Sequence, residues 1–168
     1  PTYSRGGVDV MTNVGPLEQA VEHEQKALEL QPDYPEAHVN FANTFLKMSK
    51  FEEAMQHHKE GIRHKRDWYF GYYSLGNALT NQGKSHEAIP AYRQAIERKP
   101  DYALAHNDLA NALAREGDID GAITELREAL RLDPKYQKAL FNLATLLLQK
   151  GQDAEAVKYY EELLQLNP

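Results

Sequence analysis

"AHNDLANALAREGDIDGAITELREALRLDP", Ala105 to Pro134, reads as two amphipathic helices joined by a tight turn. Leu109 and Leu113 fall on one stripe of the first helix, with the small Ala110 beside them. Gly117 ends that helix, because a left-handed turn favours a residue without a Cβ. Ala122, Ile123, Leu126, Ala129 and Leu130 make the stripe of the second helix, and Pro134 stops it.

The same pattern recurs at a period of 34 residues in both directions. Pro32, Pro100, Pro134 and Pro168 keep the period, with Arg66 standing in the skipped place. Ala20, Ala54, Ala88, Ala122 and Ala156 keep it too. So do Ala42, Gly76, Ala110 and Ala144, the small residues that let a neighbouring helix approach. Phe41, Leu75, Leu109 and Leu143 form another row, and Phe45, Leu79, Leu113 and Leu147 a fourth. The turn residues Gly15, Ser49, Gly83, Gly117 and Gly151 complete the register.

Composition narrows the function. The 168 residues carry a formal net charge of -6, so the chain has no general attraction for nucleic acid or an anionic membrane. There is no cysteine, hence no disulfide frame and no thiolate chemistry. No apolar run reaches the roughly 18 residues of a membrane-spanning helix, and no signal peptide is visible. The expectation is a soluble, cytoplasmic protein without membrane insertion. The chain opens at Pro1 rather than methionine, which reads as an excerpt or a processed product.

Spacing, small residues and turns together resemble the tetratricopeptide repeat family over roughly residues 15–168. The resemblance implies an all-α fold, a right-handed superhelical solenoid of stacked helix-turn-helix hairpins. The units fall at 35–68, 69–102, 103–136 and 137–168, after a half repeat at 15–34 with one helix at about 17–30. "PTYSRGGVDVMTNV", residues 1–14, departs from the pattern. Gly6-Gly7 and the valines are poor helix formers, so an irregular segment is expected there, with one short turn near 9–13.

"HKRDWYFGYY", His64 to Tyr73, looks like a basic and aromatic nucleic-acid patch. The period says otherwise. Trp68 aligns with Tyr34, Tyr102 and Tyr136 as a junction aromatic, and Arg63 and Lys65 close the preceding helix, where cations suit the dipole. No nucleic-acid partner is expected.

In the family, the first helices of the units line a concave groove that binds a peptide or a partner protein. By that resemblance the groove holds Asn40, Asn43 and Lys47 in the first whole unit. Phe70, Tyr73, Asn77 and Asn81 follow, then Asn107, Asn111 and Arg115, then Lys138 and Phe141. Phe70 and Tyr73 are the expected aromatic anchors, set apart from the core stripes. The amides are similar to the asparagine ladder in the repeats of O-linked N-acetylglucosamine transferase, where they hold an extended peptide. An amide offers both donor and acceptor to a main chain. With Lys47, Arg115 and Lys138 against Glu36 and Asp108, a neutral or mildly acidic ligand is expected.

The clamp that some family members use for a C-terminal carboxylate is absent. Val39, Leu104 and Asp108 occupy places where it needs cations. His57, His58 and His64 fall at core or interface places, so no metal is expected, and no cofactor motif or catalytic motif appears. The reading is a non-catalytic interaction module. A substrate-recruiting piece of a larger, glycosyltransferase-like enzyme and a self-assembling scaffold are the alternatives. The scaffold would use an open C-terminal face carrying Leu140, Phe141, Leu147, Leu148, Tyr159, Leu163 and Leu164.

Overall fold

The computed structural model describes residues 15–65 and 67–166. The segment expected to be irregular, 1–14, lies outside them. The described residues form α1 (Pro16–Leu30), α2 (Pro35–Lys47), α3 (Phe51–His64), α4 (Tyr69–Asn81) and α5 (Ser85–Arg98), followed by α6 (Ala103–Arg115), α7 (Ile119–Leu132), α8 (Gln137–Gln149) and α9 (Asp153–Leu166). Pro16 and Pro35 open their helices at the first turn, where a missing N–H costs nothing.

Each even-numbered helix ends in the same hydrogen-bonded motif. The amides of Lys50, Lys84, Asp118 and Gln152 donate back to the carbonyls of Phe45, Leu79, Leu113 and Leu147, each at 2.9 Å. That closure puts the intervening residue in the left-handed region, at φ 75° for Gly83, 87° for Gly117 and 72° for Gly151. Ser49 takes the same conformation at φ 59° and carries a Cβ there.

The hairpins α2–α3, α4–α5, α6–α7 and α8–α9 stack in order. Among the described residues the backbone of each helix approaches only those of its sequence neighbours, except that α2, α4, α6 and α8 also meet in succession. The alanine row is what permits this approach: Ala54, Ala88, Ala122 and Ala156 are fully buried. Leu79, Leu109, Leu113, Ile123, Leu126, Leu143 and Leu147 fill the core between them. The outer helices at the amino-terminal end pack less. No residue of α1 is buried, and Leu30 is almost wholly exposed.

The residues expected on an apolar C-terminal face divide between buried and open. Leu140 and Leu147 are buried between α8 and its neighbours. Phe141, Leu148 and Leu164 are the exposed ones, joined by Val157. The hairpin buries its own stripe and leaves a patchy remainder.

The "HKRDWYFGYY" stretch holds a unit boundary. The Lys65 ammonium lies 5.5 Å from the Trp68 ring and pairs with Glu36 at 2.9 Å. The Arg98 guanidinium stacks 4.2 Å from the Tyr72 ring centre, and the Lys99 ammonium sits 5.4 Å from Tyr69. These basic groups and aromatic rings are engaged with one another inside the molecule.

Candidate functional site

The inner face of α4, α6 and α8 carries two adjoining cavities. The first, of about 720 Å3, is lined by Asn77, Thr80, Asn81, Tyr92, Asp108, Asn111, Ala114 and Arg115. The second, of about 530 Å3, is lined by Asn107, Asp108, Asn111, Gln137, Lys138, Phe141, Asn142 and Leu163. Asp108 and Asn111, one helical turn apart on α6, belong to both.

Two chains of hydrogen bonds converge on the Asp108 carboxylate. In one, the Tyr92 hydroxyl donates to Asn77 Oδ1 at 2.8 Å, which spends its only proton. Thr80 therefore donates to Tyr92, at 3.0 Å. The Asn77 amide in turn reaches the Tyr73 hydroxyl. Tyr73 donates to Asp108 Oδ2 at 2.8 Å. In the other, Asn142 Nδ2 donates at 3.0 Å to Oδ1 of both Asn107 and Asn111. Asn107 Nδ2 donates to Asp108 Oδ1, also at 3.0 Å. The carboxylate thus accepts from Tyr73 of α4 and from Asn107 of α6 itself, and Asn142 of α8 stands behind Asn107.

The tyrosines report this environment. Burial pushes the Tyr73 hydroxyl pKa up; the Asn77 donor opposes that, and the Asp108 charge adds to it. Burial pushes Tyr92 up to about 12, with Thr80 opposing and Asp108 adding. Tyr102 and Tyr136, raised first by burial, also feel the Asp108 charge. All four remain neutral donors at physiological pH.

The residues expected to line the groove divide into several groups. Asn77, Asn81, Asn111 and Arg115 meet around the first cavity, and Asn107, Asn111, Lys138 and Phe141 around the second. Asn40, Asn43, Lys47 and Phe70 line neither. Asn40 and Lys47 stand exposed on α2, with Asn43 half-buried beside them. Lys47 faces Glu24 of α1, whose carboxyl is raised by burial and drawn back by the Thr44 hydroxyl and by Lys47.

Tyr73 is not a free anchor. Its ring packs edge-on against Tyr102, with centres 4.9 Å apart, and near Tyr92 at 6.1 Å. Its hydroxyl is already committed to Asp108. It belongs to the wall of the groove and to the fringe of the core. Phe70, a third exposed, is the open member of the pair.

The fifth place of these helices is not uniformly open. Val39 and Asn107 are buried at 0% and 2% exposure, Tyr73 is half-buried, and only Phe141 is exposed. The next inner helix covers this place, as the bonds from Tyr73 to Asp108 and from Asn142 to Asn107 record. No inner helix follows α8 among the described residues, which leaves Phe141 open. Asn107 is accordingly a buried strut of the ladder, with its amide used internally.

Asn142 of the amide run also contributes to this face, and so does Tyr92, which the sequence reading did not select. Tyr92 occupies a core place of α5, yet its hydroxyl emerges between α4 and α6. The available signal was its hydroxyl, since Leu126 at the same place of the next unit has none.

Comparison with known proteins agrees with this architecture. A family model described as tetratricopeptide repeat matches residues 73–136 and again 107–168, offset by one period. A second model of the same description matches 24–56. No curated protein matches the chain in sequence. Among solved structures, MamA is 24% identical with a TM-score of 0.82, over 89% of this chain and 88% of its own. Pseudomonas aeruginosa PilF is 21% identical with a TM-score of 0.84, over 90% of this chain and 69% of its own. YrrB is 23% identical with a TM-score of 0.75, over 90% and 78% respectively. At such identities the structures speak to the fold, while the repeat models cover more than half of the sequence: the chain belongs to the tetratricopeptide repeat family.

Proposed function

We propose that this protein is a non-catalytic interaction module that binds an extended peptide or partner segment along the inner face of α4, α6 and α8. The observation that carries the reading is the pair of adjoining cavities sharing Asp108 and Asn111. A continuous trough lined by amides and charged groups suits a polypeptide main chain, which needs donors and acceptors at regular intervals. YrrB, similar in fold, is described as a repeat protein with an unusual peptide-binding site, which supports a peptide as the ligand class.

The test is selection of short random peptides displayed on phage, followed by affinity measurement on wild type and Asn111→Ala. Selected peptides should lose about tenfold or more on the variant, the size of one good hydrogen bond to a peptide carbonyl. Equal binding by a folded Asn111→Ala protein would place the interaction elsewhere.

A further inference from the structure

The hydrogen-bond chains leave the groove with an unequal polar capacity. Both protons of Asn142 Nδ2 are spent on Asn107 and Asn111. Asn107 is buried. Both oxygens of Asp108 already accept an internal bond. Asn111 uses only its oxygen, so its NH2 group has no intramolecular partner. Arg115 in the first cavity and Lys138 in the second pair with no carboxylate among the described residues. The Asn81 amide in the first cavity keeps both donor and acceptor, but the only unpaired charges on this face of a protein of net charge -6 are the two cations.

Resting on the reading of this face as a peptide groove, we infer that its ligand is an acidic segment whose side-chain carboxylates meet Arg115 and Lys138 while a main-chain carbonyl accepts from Asn111. Asp108 does not defeat this. Its charge is stabilised by the Tyr73 and Asn107 donors, and it sits recessed between the two exposed cations. A peptide N–H passing over it would supply a further donor. The carboxylates of the ligand are those of its side chains, since the residues that would grip a chain terminus are missing at Val39 and Leu104.

The experiment uses three sets of short peptides with acetylated and amidated ends. Each set has one apolar position and is otherwise rich in glutamate, glutamine or lysine. Titrations follow the side-chain amide resonances of Asn111, so that occupancy of the groove is seen directly. The glutamate set should bind at least about tenfold tighter than the lysine set, with a moderate loss in salt. The double variant Arg115→Glu, Lys138→Glu should reverse the order. Both side chains are exposed, so the helical signal should be unchanged. Binding of the glutamine or lysine set at Asn111 with equal or greater affinity would overturn the acidic preference and leave the groove reading intact. Binding by no set, or binding without a response at Asn111, would overturn both.

Discussion

A Cβ built on Gly76 would lie 2.5 Å from Cε1 of Tyr92 and 2.6 Å from its Cδ1. The tyrosine ring occupies the space that an alanine methyl fills at Ala42 and Ala110, the same place in other units. The ring is buried and its hydroxyl is held by Asn77 and Thr80, so it has little freedom to withdraw. Gly76→Ala should therefore cost about 1–3 kcal/mol of stability through overpacking. Tyr92→Leu, the pairing found at Ala110 and Leu126, should recover part of that cost in the double variant. Urea unfolding of the four proteins of the cycle measures the coupling; additive losses would deny it.

Ser49 stands where three other units use glycine, at φ 59°. An L-residue with a Cβ in that region is strained by roughly 1–2 kcal/mol, while glycine gives back part of the gain as chain entropy. Ser49→Gly should stabilise the protein by about 0.5–1 kcal/mol. Gly117→Ala, at φ 87°, should destabilise it by about 1 kcal/mol. Thermal unfolding of the two variants gives the comparison, and a fall in melting temperature for Ser49→Gly would contradict the argument.

Equivalent places in two hairpins carry opposite responses to acid. On α6, His106 donates from Nε2 to the Pro100 carbonyl at 3.0 Å and faces the Glu125 carboxylate through Nδ1 at 2.6 Å. Burial works against its charge, but Glu125, the carbonyl and Glu128 together raise its pKa above the ordinary 6.5. On α2, His38 makes the same bond to Pro32 at 2.9 Å, but its Nδ1 meets Nδ1 of His57 at 3.1 Å. That contact needs one Nδ1 to donate and the other to accept. Burial and then His38 lower His57, against the pull of Glu60. Burial and then His57 lower His58 to about 4, and neither ring nitrogen of His58 has a partner.

The His106 pair adds stability that is complete below pH 6.5 and is lost as pH rises through the raised folded value. The stability held by neutral His57 and His58 is intact above 6.5 and is lost as pH falls, towards about 4 for His58. For His58 the shift corresponds to about 3 kcal/mol at the acid end. Hydrogen exchange near about pH 5 against about pH 7.5 should show α2 and α3 losing more protection than α6 and α7. His58→Leu, which copies Leu126, should reduce the difference. Equal loss in both hairpins would refute it.

The helices and the stacking were legible because prolines, alanines and turn residues repeat the same physical demands at one period. The family resemblance grouped Asn77, Asn111 and Arg115, which line one cavity. It did not tell Asn107 from Asn111. Both are asparagines on the inner side of α6, and only the position of Asn142 on α8 decides that one is sealed in and the other keeps its NH2 group. Tyr73 was misread as free of the core for the same reason: its burial depends on Tyr102 at the end of its own unit and on Asp108 of the following one. A one-dimensional pattern assigns a side, while cover comes from a neighbour whose chemistry varies from unit to unit.

The ladder through Asp108 crosses two junctions of the inner face, α4 to α6 by Tyr73 and α6 to α8 by Asn142. Among the described residues no side-chain hydrogen bond joins α2 to α4. The ladder therefore ties α4, α6 and α8 together in shear: sliding one of these helices along the next must break the Tyr73–Asp108 or the Asn142–Asn107 bond. The groove is lined by these same helices, so the bonds that resist sliding also set the register of its walls.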